Sequence, residues 1–256
     1  MSTTAQGMHM HPGRMNGHFT TTLTLSAVLA GCTVAPVAIP AIEQSPGTAA
    51  TAWLARGNEP GWRLEMAGGG LVFQTADGAT QASGRARDPQ VQGDTTTYTA
   101  STTAGALTTV IMSRRCQDSM SGMPYPQTVT VEVQGRRFQG CGGDPAELLR
   151  GDEWVVEDIA GSGIVDGSRV TVQFGPDERV TGRASCNRFM GSYALSGEGL
   201  QLKGLASTRM ACAEALNRQE TRFLQILGQV VRHEFTTDGA LVLVAADGQR
   251  LRARRG

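Results

Sequence analysis

Aromatic residues are scarce in this chain, with 3 Trp, 3 Tyr and 7 Phe among 256 residues, and neither sign of charge is in excess, with 23 Lys and Arg against 23 Asp and Glu. Without a net field there is no general attraction to nucleic acid or to an anionic surface, so no nucleic-acid partner is expected. The chain also lacks GxSxG, HExxH, a phosphate-binding glycine loop and Cys-x-x-Cys, the short patterns that would announce common catalytic or metal chemistry. The apolar run FTTTLTLSAVLAG (19–31) is Thr-rich and too short to span a bilayer as a stable anchor. Against these absences stand 33 glycines, many threonines and short apolar-alternating runs, which favour a β-rich fold over a helical bundle.

The apolar run follows a single Arg14 and ends at Cys32, as a secretory signal with small residues at its cleavage point would. LAGC (29–32) resembles a bacterial lipobox. That resemblance implies a signal over residues 1–31, cleavage before Cys32 and lipidation of its thiol. Acyl chains bury methylenes at about 0.8 kcal/mol each, so several hold a protein at a membrane. Thr33 follows where an inner-membrane retention signal would carry Asp, which points to the outer membrane, periplasmic face. The alternatives are an ordinary cleaved signal that leaves a soluble periplasmic protein, and translation from Met15 with no Lys or Arg before the run. MHMHPGRMNGH (8–18) gathers three His and three Met, a set that suits copper, but it precedes the cleavage point and would be discarded, so no metal is assigned. Residues 32–52, rich in Ala and Pro, read as a flexible tether of roughly 20–30 Å.

Four further cysteines fall two to a half: Cys116 and Cys141, Cys186 and Cys212. Of the three possible pairings one keeps each bridge within its own half, and that pairing is expected. Each loop of about 25 residues would then contribute roughly 3–4 kcal/mol, in an oxidising compartment. The alternative is four buried thiols in a reducing one.

In residues 53–144, strands are expected at 62–66, 71–75, 95–101, 107–112, 128–133 and 138–141, enough short strands for a sandwich or small barrel. CQDSMSGMPYPQTV (116–129) reads as a long loop. Met120, Met123 and Tyr125 are its candidate contacts for a partner, and the competing reading is a structural loop packed over the barrel mouth. With GNEPGW (57–62) this loop resembles the N-terminal part of bacterial lipoproteins to which no activity attaches.

In residues 151–256, strands are expected at 153–159, 169–174, 179–185, 193–195, 200–203, 241–244 and 251–253. An amphipathic helix is expected with Leu216, Phe223, Leu224, Leu227 and Val231 on its apolar face. Two motifs stand out: GRASCNRFMGSY (182–193), with Gly182, Cys186 and Asn187, and LASTRMAC (205–212), with Thr208, Arg209, Met210 and Cys212. At this spacing the pair resembles the META domain, the HslJ-like heat-shock and envelope protein family, over about Asp152–Arg255. The resemblance implies a small antiparallel β domain with one helix, exported, and tied to envelope stress and drug tolerance or to virulence. It implies no agreed chemistry.

Glu220 lies on the apolar stripe of the helix, four residues from both Leu216 and Leu224, and a carboxylate there requires a partner. Arg209 is the expected one, Thr208 is expected to help set the helix start, and Glu214 suits its first turn. Cys186 with His233 would suggest a thiol nucleophile and base, but the expected disulfide removes the thiol, and His233 is expected at the helix end, where the dipole favours a cation. Arg250–Arg255 reads as a solvated strand edge. The expected protein is mainly β with a minor α component, in two small antiparallel domains of barrel or sandwich type. It is an envelope lipoprotein without catalytic residues or cofactor, held by its N-terminal lipid and open to an envelope partner. The alternatives are an inhibitor acting through residues 116–129 and a carrier of a small apolar ligand.

Overall fold

A computed structural model describes residues 52–256, which lie in one compact unit, Thr48–Gly256. The expected signal, Cys32 with its lipobox, the tether up to residue 51 and the His- and Met-rich segment fall outside the described residues.

The first half is built from β1 (Trp53–Asn58), β2 (Gly61–Ala67), β3 (Gly70–Thr75), β4 (Gln81–Arg85), β5 (Gln90–Gln92), β6 (Thr95–Thr102), β7 (Gly105–Met112), β10 (Gln127–Val133) and β11 (Arg136–Gly142), with a small ribbon of β8 (Cys116–Gln117) and β9 (Pro124–Tyr125) inserted after β7. Nine strands form one curled antiparallel sheet in the order β4-β3-β2-β1-β11-β10-β7-β6-β5. Leu64, Phe73, Leu107, Val129, Val131 and Phe138 fill its concave side, with the Phe73 and Phe138 rings 4.9 Å apart. Each such side chain contributes about 1.5–3 kcal/mol by leaving water.

The six strands expected here are all present; β1, β4, β5 and the short pair β8 and β9 are additional. β1 and β4 carry small residues on their inward side. A Cβ on Gly57 would lie 2.2 Å from Trp62 Nε1, and one on Gly84 would lie 2.6 Å from the Ser101 carbonyl. On β1 the Trp62 indole covers Gly57, and on β4 the backbone of β6 comes too close for a side chain at Gly84, so both strands lose the apolar alternation that marks the others. An isolated bridge between Ala86 and Ala100 extends this closure.

A 3-10 turn (Pro145–Leu148) leads to β12 (Trp154–Ile159), β13 (Val170–Phe174), β14 (Arg179–Ala184), β15 (Arg188–Ser196), β16 (Gly199–Ser207), the helix α1 (Glu214–Leu227), β17 (Val230–Phe235), β18 (Leu241–Ala245) and β19 (Arg250–Arg255). The eight strands run β16-β15-β14-β13-β12-β19-β18-β17 and nearly close into a barrel. At the seam a Cβ on Gly199 would lie 2.0 Å from the Val231 carbonyl. The core holds Trp154, Val172, Phe174, Phe189, Tyr193 and Leu243. α1 caps it by setting Phe223 edge-on to Phe189, with centroids 5.6 Å apart.

Three expectations are corrected here. The helix ends at Leu227, and Val231 lies on the following strand, 38% exposed. His233 is on that strand too, buried at 3% exposure, with neither ring nitrogen hydrogen-bonded, so it is a neutral core residue and not a cation at a helix end. Burial lowers its pKa from 6.5 to about 4. β19 is an interior strand between β12 and β18 and not an edge. Arg252 and Arg254 pair there with Glu157 and Asp238, and Arg255 stacks 4.0 Å from the Trp154 ring.

Candidate functional site

The two motifs meet at one end of the second sheet. β14 and β15 form a hairpin in which a Cβ on Gly182 would lie 2.0 Å from the Thr171 carbonyl, so only glycine permits this spacing of the strands. The connection runs through Ser185, at φ +124°, then Cys186 and Asn187. Cys186 is bonded to Cys212, with Cα atoms 6.5 Å apart.

Asn187 ties the motifs together. Its backbone N–H donates to Glu220 Oε2 and its Nδ2 to Glu220 Oε1, both at 2.9 Å. Its Oδ1 accepts from Thr208 Oγ1 and from the Met210 N–H, both at 2.8 Å. Thr208 Oγ1 in turn accepts from the Arg188 N–H at 3.2 Å. The Glu220 carboxylate, 9% exposed, is therefore satisfied by two amide donors. Its expected partner Arg209 is exposed and makes no ion pair with it, because the amide donors of Asn187 already fill the site. Nor does Thr208 set the helix start: α1 begins after Ala213 without a side-chain cap, and the Thr208 hydroxyl is committed to Asn187. Glu214 does lie in the first turn, pairing with Arg218 one turn on.

Gln219 is a second buried polar residue on the same helix, with no counterpart in the sequence reading. It accepts from the Val165 N–H at 2.6 Å and donates to Ser168 and Ser185 hydroxyls at 2.9 and 3.0 Å. Its signal was its place beside Glu220, four residues before Phe223. Together Gln219 and Glu220 lock α1 to the loop before β13 and to the hairpin tip.

The outer side of the hairpin is different in character. Arg183 and Arg188 stand directly opposite each other across the strands, and Thr171 faces Arg183 from β13. Beside them Glu153 pairs with Arg169. The Arg169 hydrogen bond is the largest influence on the Glu153 carboxyl, and with a bond from Thr171 and the charges of Arg169 and Arg183 it outweighs burial and holds that carboxyl below its usual range. A cleft of about 460 Å³ opens over these residues, bordered by exposed Met190.

Of the two readings of the 116–129 loop, Met123 and Tyr125 follow the structural one and are corrected as partner contacts, while Met120 stays open to solvent. Met120 is 80% exposed, but Met123 and Tyr125 are each 5% exposed and pack with Cys141 against Leu195 of the second half. The Arg56 guanidinium covers the Tyr125 ring at 5.6 Å. The loop is held from within by Asp118, which accepts from the Met120 and Ser121 N–H groups, the Ser121 hydroxyl and Asn58 Nδ2. Burial pushes the Asp118 carboxyl up, but these hydrogen bonds outweigh it and hold it below the usual range. Cys116–Cys141, with Cα atoms 5.4 Å apart, closes the base of the loop. The burial of Met123 and Tyr125, unplaceable from sequence alone, involves Leu195, on a strand far along the chain.

Among the described residues no three His, Cys, Asp or Glu side chains gather as a metal site would require, and no helix is long and apolar enough to cross a membrane. Residues 147–255 match the family model of the META domain. No curated protein matches the chain. Among solved structures, the NMR structure of a protein from Burkholderia xenovorans is 26% identical, covering 43% of this chain and 86% of its own, with a TM-score of 0.36. A second NMR structure is 30% identical, covering 42% of this chain and 92% of its own, also with a TM-score of 0.36.

Proposed function

From a META domain over residues 147–255, we propose that this chain is a non-catalytic envelope lipoprotein that supports tolerance of stress or drugs. In this reading Cys32 is lipidated and holds two β-rich halves at the periplasmic face of the outer membrane. The observation that carries the non-catalytic part is the Asn187 network. Asn187, Thr208 and the Met210 N–H, where the two motifs meet, are spent on one another and on Glu220, which favours an architectural junction over a reactive one. Cys186 is bonded to Cys212, so the nucleophile-and-base reading with His233 has no thiol. Two disulfides support an oxidising compartment.

The intact mass of the protein from a membrane fraction, before and after reduction and alkylation, tests the setting. The expected mass is that of an acylated chain beginning at Cys32, with four further thiols freed by reduction alone. A full-length, unlipidated mass with four free thiols would overturn the envelope reading, and an unlipidated chain in the soluble periplasm would overturn the anchor. A strain lacking the protein, challenged with envelope stress and drugs, tests the role. Survival equal to that of the complemented strain would sink it.

A further inference from the structure

We propose that the outer face of the β14–β15 hairpin is an anion site in which Arg183 and Arg188 together bind a phosphate group. Two like charges placed directly opposite on neighbouring strands repel and cost stability. Here the repulsion is not relieved by the strands parting. The hairpin tip between the two arginines is fastened by Cys186–Cys212 and by the bonds from Asn187 to Glu220. Among the described residues neither arginine has a carboxylate within ion-pair distance, and the nearby Glu153 is engaged by Arg169. The cleft thus carries three guanidinium groups and one carboxylate.

Two arginines carried opposite each other on a fastened hairpin can bring both guanidinium groups to the several oxygens of a phosphate, which accepts from both at once. The volume of about 460 Å³ suits a small ligand and exceeds what a bare phosphate needs. Met190, 65% exposed and opposite Thr181 on the neighbouring row, offers an apolar contact for whatever bears the phosphate. The chemistry is that of a phosphate on a partly apolar carrier, as in an anionic lipid headgroup or a soluble phosphoester. The inference stands whether or not Cys32 carries lipid.

The test uses the full chain with Cys32→Ser, so that no acyl chain contributes to binding. Inorganic phosphate and a short-chain phosphoester are titrated by calorimetry. In parallel, co-sedimentation is measured with vesicles of phosphatidylglycerol in phosphatidylethanolamine and with phosphatidylcholine alone. The expected result is binding in at least one anionic arm that weakens as salt is added, and that falls at least tenfold in Arg183→Gln and in Arg188→Gln. Binding to the charged vesicles alone assigns a lipid-borne phosphate; binding in the titrations assigns a soluble one. Arg137→Gln, on an exposed arginine of β11, should bind as the parent does. Because each variant at the hairpin relieves repulsion, both should melt at or above the parent temperature, which separates lost binding from lost folding. No binding in any anionic arm, or binding that both substitutions leave intact, overturns the proposal.

Discussion

Acidification should destabilise this protein through one residue, His233. Its ring is buried on β17, edge-on to Phe235 at 5.8 Å and opposite Leu243 of β18, and neither nitrogen has a hydrogen-bond partner. Burial lowers its pKa from 6.5 to about 4, so the folded state holds the neutral ring. In the unfolded chain the ring takes up its proton near pH 6.5. Between these values the unfolded state binds more protons, so stability rises with pH and falls on acidification. The contribution is fully present above about pH 7 and is lost as pH drops from about 6.5 to about 4. At 1.36 kcal/mol per pH unit the whole loss is about 3 kcal/mol, of which about 2 kcal/mol has gone by pH 5. Denaturant unfolding with disulfides intact, at pH 7.5 and pH 5, should show this loss in the parent. In His233→Phe, which keeps an aromatic ring but cannot titrate, most of it should vanish. Asp118 and Glu153, held below their usual range, contribute stability above the ordinary carboxylate range and lose it as pH falls below about 4. They therefore act below this window and in both proteins. Equal losses between pH 7.5 and pH 5 in parent and variant would refute the reasoning.

Glu220→Gln turns one acceptor of the Asn187 network into a donor facing donors, so it should cost about 2–3 kcal/mol and lower the melting temperature; an unchanged melt would count against the network. Replacing Cys186 and Cys212 together by Ser should cost roughly 3–4 kcal/mol, read from denaturant midpoints against the parent kept oxidised. Asp118→Ala removes the acceptor for two N–H groups of the 116–129 loop, and limited proteolysis should then cut near Met120 at least several-fold faster; an unaltered rate would mean that the disulfide alone holds the loop.

The sequence made the fold legible wherever large apolar side chains alternate. Val170, Val172 and Phe174 marked β13 because every second position on a half-buried strand must fill the core. The same rule hid β1 and β4, whose inward residues are Ala55 and Gly57, and Ala82 and Gly84, the two glycines leaving no room for a side chain beside the Trp62 indole and the Ser101 carbonyl. β17 was absorbed into the helix because Val230 and Val231 continue its apolar period past Gly228. Both disulfide pairings were readable, since each closes a loop within one half. The burial of Glu220 followed from its position between Leu216 and Leu224. Its partner did not: Arg209 offered the obvious charge, whereas the actual donors belong to Asn187, 33 residues away, whose role depends on a hairpin tip that no local pattern encodes. Met123 and Tyr125 had the composition of a contact surface, and only the packing of Leu195 shows that the contact is internal.

In both sheets the first strand lies in the middle and hydrogen-bonds to the last: β1 to β11, and β12 to β19. Neither half can therefore be built up hairpin by hairpin and left incomplete. Its opening strand waits, with one edge bare, until the closing strand arrives across the longest separation in that half, and such closures are the slow ones. A chain cut before residue 250 would not fray at its end but would lose the interior strand of the second sheet, exposing Trp154 and Leu241 together. For a protease or a chaperone, each half is thus either whole or plainly unfinished.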